Sequence, residues 1–205
     1  MSRVRSLFIV LLAGSVWGIS EAVGGSFLYA NGVPFASVFL SLVGLVVLCL
    51  ARSLVPVVGS SLALAAIAVG YRWLNVGYYP CHICAILCFG GVFEIMASTL
   101  GVERLKHRGS QMALGAGTGV LGFALFAAVM TLAVRYSYWT SDPGKVTGYM
   151  TEGALVAAAG LVLSPAMYTL AGRIESRVNA AVLARPAAVF GLSAAVLLVC
   201  WLGAL

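Results

Sequence analysis

Residues Pro80 to Leu100 read PCHICAILCFGGVFEIMASTL, and this run has the length and apolarity of a membrane-spanning helix. Proline is tolerated in the first turn of a helix, so Pro80 suits the helix start. Three cysteines follow at positions i, i+3 and i+7, which share one helical face: Cys81, Cys84 and Cys88. His82 points about 100° away from Cys81, by the helical turn per residue. The segment therefore predicts a membrane helix that carries a stripe of thiols at its mouth.

The rest of the chain is also too apolar for a water-soluble domain. Of its 205 residues, 62% are hydrophobic and 9% are charged, and the mean hydropathy is +1.06. Soluble domains carry about 25% charged residues. We therefore expect one transmembrane domain, residues 1–205, in the plasma or inner membrane and surrounded by lipid. The net charge of +6 comes from basic residues scattered between apolar segments, which argues against nucleic-acid binding.

Apolar segments separated by charged or turn-forming residues predict an all-α bundle of six to seven transmembrane helices. The predicted spans are 7–29, 35–51, 59–73, 81–100, 111–134, 149–170 and 186–205. The sequence Asn31-Gly32-Val33-Pro34 predicts a tight turn after the first span, and Pro165 predicts a kink in the sixth.

The basic residues predict the orientation of these spans, with a cytoplasmic N-terminus. Nine of the 12 lysines and arginines then lie in cytoplasmic segments, as the positive-inside rule requires. The other three, in outer segments, are Arg72, Arg135 and Lys145. This orientation places Cys81 and two aromatic connections, 72–80 and 135–149, on the extracytoplasmic side. The aromatic residues there that suit a membrane–water interface include Tyr78, Tyr79 and Trp139.

The thiol stripe has three interpretations. Cysteines can be small core residues, which is our expectation for Cys49 and Cys200, each alone in its span. Alternatively, Cys81 and Cys84 form a C-x-x-C redox pair at a helix N-terminus, where the helix dipole stabilises a thiolate. An extracytoplasmic position also allows a disulfide to persist. Such a pair resembles membrane thiol oxidoreductases of the DsbB and vitamin K epoxide reductase types, which need a second cysteine pair to relay electrons to a quinone.

The third interpretation is a transition-metal ion or metal chelate held by Cys81, His82, Cys84 and Cys88. Thiolate and imidazole ligands suit zinc, copper(I), nickel and cobalt. Cys81 and Cys88 lie about 10.5 Å apart along an ideal helix, whereas two thiolates on one zinc ion lie within about 4.6 Å of each other. Unless the helix start unwinds, one ion can therefore bind only two neighbouring thiols of the stripe. His82 or another helix would supply the remaining ligands.

Three carboxylates lie in or next to predicted spans. Buried carboxylates are costly in lipid and usually face a bundle interior or a cavity. For Glu21 and Glu94 we expect either a role in binding or a structural hydrogen bond between helices. Glu152 is expected to be an acidic residue in the first turn of the sixth span.

Short motifs in the first half of the chain suggest a family. They are Trp17-Gly18-Ile19-Ser20-Glu21-Ala22-Val23-Gly24-Gly25, Asn31-Gly32-Val33-Pro34-Phe35, Ala85-Ile86-Leu87, Glu94-Ile95 and Leu100-Gly101. Over residues 7–101 the chain resembles S components of energy-coupling factor (ECF) transporters, which are compact, mostly six-helix membrane subunits. The resemblance implies capture of a vitamin-like or metal-type nutrient from outside, with uptake through a transmembrane coupling subunit and two ATPases. It also implies that a row of small residues contacts the partner: Gly14, Gly18 and Ala22.

The leading expectation is thus a transport subunit rather than an enzyme, and the alternative is a thiol oxidoreductase. The chain has no G-x-x-x-x-G-K-[ST] loop, so ATP hydrolysis must come from a partner. A seventh span and the Cys/His cluster depart from the family pattern. The expected substrate site opens outward between the 72–80 and 135–149 connections. Its candidate residues are Glu21, Tyr78, Tyr79, Cys81, His82, Cys84, Cys88, Glu94 and Trp139.

Overall fold

The computed structural model describes residues 3–74 and 80–178, together with residues 191 and 198. Within these ranges the chain is helical and contains no strand, which confirms the all-α prediction. The α-helices are α1 Arg3–Ile19, α2 Gly25–Ala30, α3 Ala36–Leu54, α4 Ser60–Leu74, α5 Pro80–Arg104, α6 Arg108–Ala128, α7 Ser137–Thr140 and α8 Pro143–Val178. Two π-helical turns complete the described elements, Ser20–Gly24 between α1 and α2 and Val129–Ala133 after α6.

Five helical stretches of the described chain are long and apolar enough to cross a membrane. They are Arg5–Ala30, Ala36–Leu54, Cys81–Arg104, Arg108–Ala133 and Pro143–Glu175. These stretches are those of a multi-span membrane protein. Helix α4 has 15 residues and is about 22 Å long, which is shorter than the hydrocarbon core of about 30 Å. The predicted seventh span, 186–205, and Cys200 lie outside the described residues.

Contacts between α1 and α4 show that these two helices run parallel. A Cβ atom added to Gly14 would lie 2.8 Å from Ile67, and one added to Gly18 would lie 2.7 Å from Tyr71. Both positions advance by four residues in the same direction along the two helices. Because Gly14 and Gly18 approach α4 so closely, this small-residue row, which includes the fully buried Ala22, packs inside the subunit.

Helices α3 and α8 also run parallel. Ser37 contacts Glu152 through a hydrogen bond near the start of α3, and Cys49 contacts Ser164 farther along both helices. Each pair is separated by 115 residues. Parallel pairs of alternate helices are the arrangement that an up-and-down series of membrane spans requires.

Glycines of α6 let its backbone approach α8 closely. A Cβ atom at Gly115 would overlap the carbonyl oxygen of Gly160, and one at Gly119 would lie 2.5 Å from the backbone nitrogen of Ala157. Small residues at helix crossings commonly allow such approach in membranes. The glycine-rich sequence of α6 therefore allows it to pack closely against α8.

Glycine also ends or bends helices at two positions. Gly32, in the turn predicted after the first span, has φ +60°, and Gly101 near the end of α5 has φ +72°. Both values lie in the left-handed region that glycine adopts at little steric cost. Helix α8 continues through Pro165 as one element.

Glu94 and Arg52 form a buried ion pair at the end of the bundle where α3 finishes. Their closest oxygen and nitrogen atoms lie 3.1 Å apart. The carboxylate also accepts hydrogen bonds from the backbone N–H groups of Gly59 and Ser61, each at 2.9 Å, and from the Ser98 hydroxyl at 2.6 Å. A carboxylate at a helix start satisfies N–H groups that have no partner within the helix. Glu94 therefore ties α3 and α5 to the start of α4.

Candidate functional site

A cavity of about 900 Å³ lies at the opposite end of the bundle, where α5 begins. Its walls come from α1 to α8 and from the first π-helical turn, so helices distant in sequence meet around it. Binding sites for small molecules are commonly clefts of about 300–1,000 Å³ between packed elements. The cavity therefore has the size expected of a small-molecule site.

The first π-helical turn, Ser20–Gly24, shapes one side of the cavity. Glu21 is 9% exposed, and its carboxylate accepts a hydrogen bond of 3.1 Å from Trp17 Nε1. A π-helical turn alters the regular backbone ladder, and the carbonyl groups of Glu21 and Ala22 accept hydrogen bonds from Arg72 Nη1 at 3.1 and 3.4 Å. Such turns inside α-helices occur frequently at functional sites. The turn thus holds a buried arginine beside a buried carboxylate.

Arg72 also fixes the position of His82. Arg72 Nη2 lies 2.7 Å from His82 Nδ1, and an arginine can only donate, so Nδ1 accepts and the neutral ring carries its hydrogen on Nε2. The His82 ring stacks on Tyr29 with centroids 5.1 Å apart and an interplanar angle of 22°. His82 is therefore part of the cavity wall and is turned away from the thiol stripe, as the helical spacing predicted.

Four aromatic rings form the opposite wall. The Phe123 and Tyr149 rings stack with centroids 4.5 Å apart. Phe126 meets Tyr149 at 4.9 Å and the edge of Trp139 at 5.1 Å, and Trp139 meets Tyr149 at 5.2 Å. Edge-to-face and stacked contacts at these distances stabilise aromatic pairs. The cluster joins α6, α7 and α8 at the cavity.

Glu152 brings a second carboxylate to the cavity. It lies on α8, where it accepts a hydrogen bond from the Ser37 hydroxyl of α3. The expectation that Glu152 belongs to a first helical turn is wrong, because α8 begins at Pro143, more than two turns earlier. The longer helix carries Glu152 into the bundle beside the aromatic wall.

The thiol stripe is divided between the cavity and the core. Cys81 lines the cavity, whereas Cys84 and Cys88 contact each other with sulfur atoms 3.8 Å apart. The stripe packs against Phe126 and Met130. None of the four cysteines in the described ranges forms a disulfide. Cys49 is buried, and its sulfur lies 3.4 Å from the Ser164 hydroxyl.

The geometry gives no support to the expected metal site. Within residues 3–74 and 80–178, no group of three or more histidine, cysteine, aspartate or glutamate side chains is arranged to hold a metal ion. The physical reason is the direction of His82, which contacts Arg72 and Tyr29 instead of completing a ligand set with the cysteines.

Comparisons with known proteins identify no relative. No protein-family model, curated protein or solved structure matches this chain. The function is therefore argued from the cavity and its side chains.

The candidate residues chosen from sequence fall into three groups. Those that line the cavity are Glu21, Cys81, His82 and Trp139. Cys84, Cys88 and Glu94 are absent from its described lining, and Tyr78 and Tyr79 lie outside the described residues. Cavity residues that sequence reasoning missed include Tyr29, Arg72, Lys145, Tyr149 and Glu152. An arginine and a glutamate next to apolar spans were the available signal, because lipid makes such residues rare unless they face a cavity.

Proposed function

We propose that this chain is a membrane subunit that captures a small solute from the extracytoplasmic side, as S components of ECF-type importers do. The observation that carries the proposal is the cavity, because it combines ligand-sized volume with buried charge and aromatic walls. Its solute is a vitamin-like nutrient in size.

The chemistry of the walls supports binding rather than packing. A bundle that only needed to pack would fill this volume with apolar side chains, since protein interiors are close-packed. Here Glu21, Arg72 and Glu152 are placed around an open volume instead. Charged groups inside a membrane bundle are costly and commonly mark a pathway or site for a polar solute.

The proposed orientation places the cavity outside. Three basic residues belong to the cavity end or its connections: Arg72, Arg135 and Lys145. More of the basic residues in the described ranges lie at the other end, as expected of a cytoplasmic face. A subunit that only captures the solute needs partners for uptake, and we propose a transmembrane coupling subunit with two ATPases.

Affinity purification from native membranes, followed by mass spectrometry of proteins and small molecules, tests this function. We expect a transmembrane partner, ATPase subunits and a small organic solute to accompany the chain. A matched sample in which Tyr149→Ala removes one ring of the aromatic wall should retain the protein partners and lose the solute. Purification of the wild-type chain with neither partners nor solute contradicts the proposal.

The second candidate function is a thiol oxidoreductase, because Cys81 faces the cavity three residues before Cys84. The arrangement gives a cavity-facing thiol a neighbour that could resolve a mixed disulfide. However, Cys49 is buried beside Ser164, and in the part of the chain that the structure describes no second pair extends from Cys81 and Cys84 toward a quinone.

Alkylation of cells before lysis distinguishes the two functions. If Cys81 and Cys84 resist alkylation in cells and react only after reduction, they form a disulfide, which favours the oxidoreductase. Free thiols at both positions, together with solute binding in a Cys81→Ser variant, favour capture.

A further inference from the structure

Among the described residues that line the cavity, two carboxylates have unfilled capacity to accept hydrogen bonds, those of Glu21 and Glu152. An ionised carboxylate has about four acceptor sites. Glu21 accepts one hydrogen bond from Trp17, and Glu152 accepts one from Ser37. Over residues 3–74 and 80–178, neither carboxylate has a lysine, arginine or histidine nitrogen within 4.0 Å. Buried polar groups usually have their partners. Glu21 and Glu152 therefore keep acceptor sites that a ligand can fill, although the Arg72 guanidinium lies beside Glu21 and donates to its backbone carbonyl group.

Among the described residues that line the cavity, the cationic side chains are Arg72 and Lys145, and the chain itself supplies each with acceptors. Arg72 donates to two carbonyl groups of the π-helical turn, to Ser26 and to His82. Lys145 donates to the carbonyl oxygen of Tyr138 at 3.1 Å, and its ammonium lies 3.8 Å from the centre of the Tyr138 ring. These contacts orient both cations toward protein atoms. Arg72 is thus well supplied with acceptors by the chain, whereas Glu21 and Glu152 keep open acceptor sites that a cationic ligand can fill.

The aromatic wall adds a second, independent preference. Phe123, Phe126, Trp139 and Tyr149 all line the cavity, and Glu152 follows Tyr149 by one helical turn on α8. Aromatic faces attract ammonium groups through the ring quadrupole, most strongly when the cation is desolvated. The same faces stack on a flat ligand ring. Aromatic rings beside a carboxylate recognise a cation that carries apolar surface.

We propose that the cavity binds an organic cation, a compound with an aromatic ring and a substituted ammonium or ring-nitrogen charge. Its positive group lies near Glu21 and Glu152, and its ring lies against the aromatic wall. This inference rests on the proposed capture function and specifies the chemical class of the solute.

Calorimetric titration of the purified full chain in detergent tests the class. The probes are benzyltrimethylammonium, benzyl alcohol and benzoate, which share a phenyl ring and differ in charge. We expect the cation to bind at least tenfold more tightly than either other probe. Glu152→Gln and Glu21→Gln should each weaken cation binding about tenfold and leave benzyl alcohol unaffected. Both amides keep an oxygen that can accept the existing hydrogen bond from Ser37 or Trp17.

Glu103→Gln is the matched control, because Glu103 lies at the opposite end in an exposed pair with Lys106. It should bind the cation as the wild type does. Thermal unfolding of each variant without probe verifies that binding is compared between folded proteins. The inference is overturned if benzoate binds more tightly than benzyltrimethylammonium, or if none of the three probes binds. It is also overturned if a folded Glu21→Gln/Glu152→Gln variant binds the cation with unchanged affinity.

These results are separable from those of the capture test. A chain that carries an anionic or neutral solute and ATPase partners from native membranes retains the importer function and loses the organic-cation assignment. A chain that binds benzyltrimethylammonium in a carboxylate-dependent way and has no importer partners retains the assignment and loses the importer function.

Discussion

Replacement of Glu94 by alanine should destabilise the bundle by about 4 kcal/mol. The change leaves the Arg52 guanidinium buried, with its side chain only 3% exposed, and loss of one partner of a buried ion pair costs about 3–5 kcal/mol. The backbone N–H groups of Gly59 and Ser61 also lose their carboxylate acceptor. Each unsatisfied buried group costs about 1–3 kcal/mol. These penalties overlap, because relaxation and water at the bundle end relieve part of both.

Unfolding in mixed micelles, with increasing sodium dodecyl sulfate and detection by circular dichroism, measures this loss. Glu103→Ala is the control, since that glutamate side chain is 84% exposed and pairs with Lys106 at 2.7 Å. Exposed pairs contribute about 0–1 kcal/mol. The free energy of unfolding should therefore change by less than 1 kcal/mol in the control, by this principle.

A double-mutant cycle with Arg52→Ala tests the cause. Removal of both charges leaves neither ion unpaired, so the double variant should lose much less stability than the sum of the two single variants. Additive losses, or a loss below about 1 kcal/mol in Glu94→Ala, would refute the assignment of Glu94 as a buried structural ion. Because Glu94 does not line the cavity, Glu94→Gln should retain the affinity for benzyltrimethylammonium.

Two further predictions use contacts of single residues. Gly119→Leu should lower the free energy of unfolding by about 2 kcal/mol or more in the same assay, because a side chain there meets the backbone of Ala157. Gly172→Leu is the control and should cost far less, because nothing lies within 4 Å of a Cβ atom at that position. Equal losses in the two variants would contradict the close crossing of α6 and α8. In variants that retain one cysteine, a water-soluble maleimide should modify Cys81 faster than the fully buried Cys49, and benzyltrimethylammonium should slow only the reaction at Cys81. Equal rates, measured by mass shift, would show that Cys81 does not face the cavity.

The helices were predictable because hydrophobicity and turn residues act locally. The apolar run after Pro80, the turn at Gly32 and the direction of His82 follow from chain-local geometry, and the structure has all three. The start of α8 was harder to predict from the sequence. Residues 143–148 carry lysine, threonine and glycine, so their composition resembles that of a connection, although the structure continues the helix through them.

The candidate site was predictable where a motif or a single side chain was unusual for its position in the sequence. Glu21 stood out as a carboxylate within an apolar span, and the structure places it at the cavity. Glu94 stood out for the same reason, yet its partner Arg52 lies 42 residues away in sequence. Neither periodicity nor composition indicates which distant charged residue pairs with a carboxylate. A binding carboxylate and a structural one therefore cannot be distinguished from the sequence alone.

The cavity joins the beginning and the end of the described bundle, since Trp17 and Glu152 both line it. During synthesis the site is completed only after α8 has entered the membrane and docked. We expect a compound bound in the cavity to hold α1 and α8 together and to disfavour states in which these two helices separate. At one hundred times its dissociation constant, such a compound stabilises the folded chain by about 2.7 kcal/mol. On the proposed capture function, we therefore expect solute supply to affect how many newly made chains survive quality-control proteolysis.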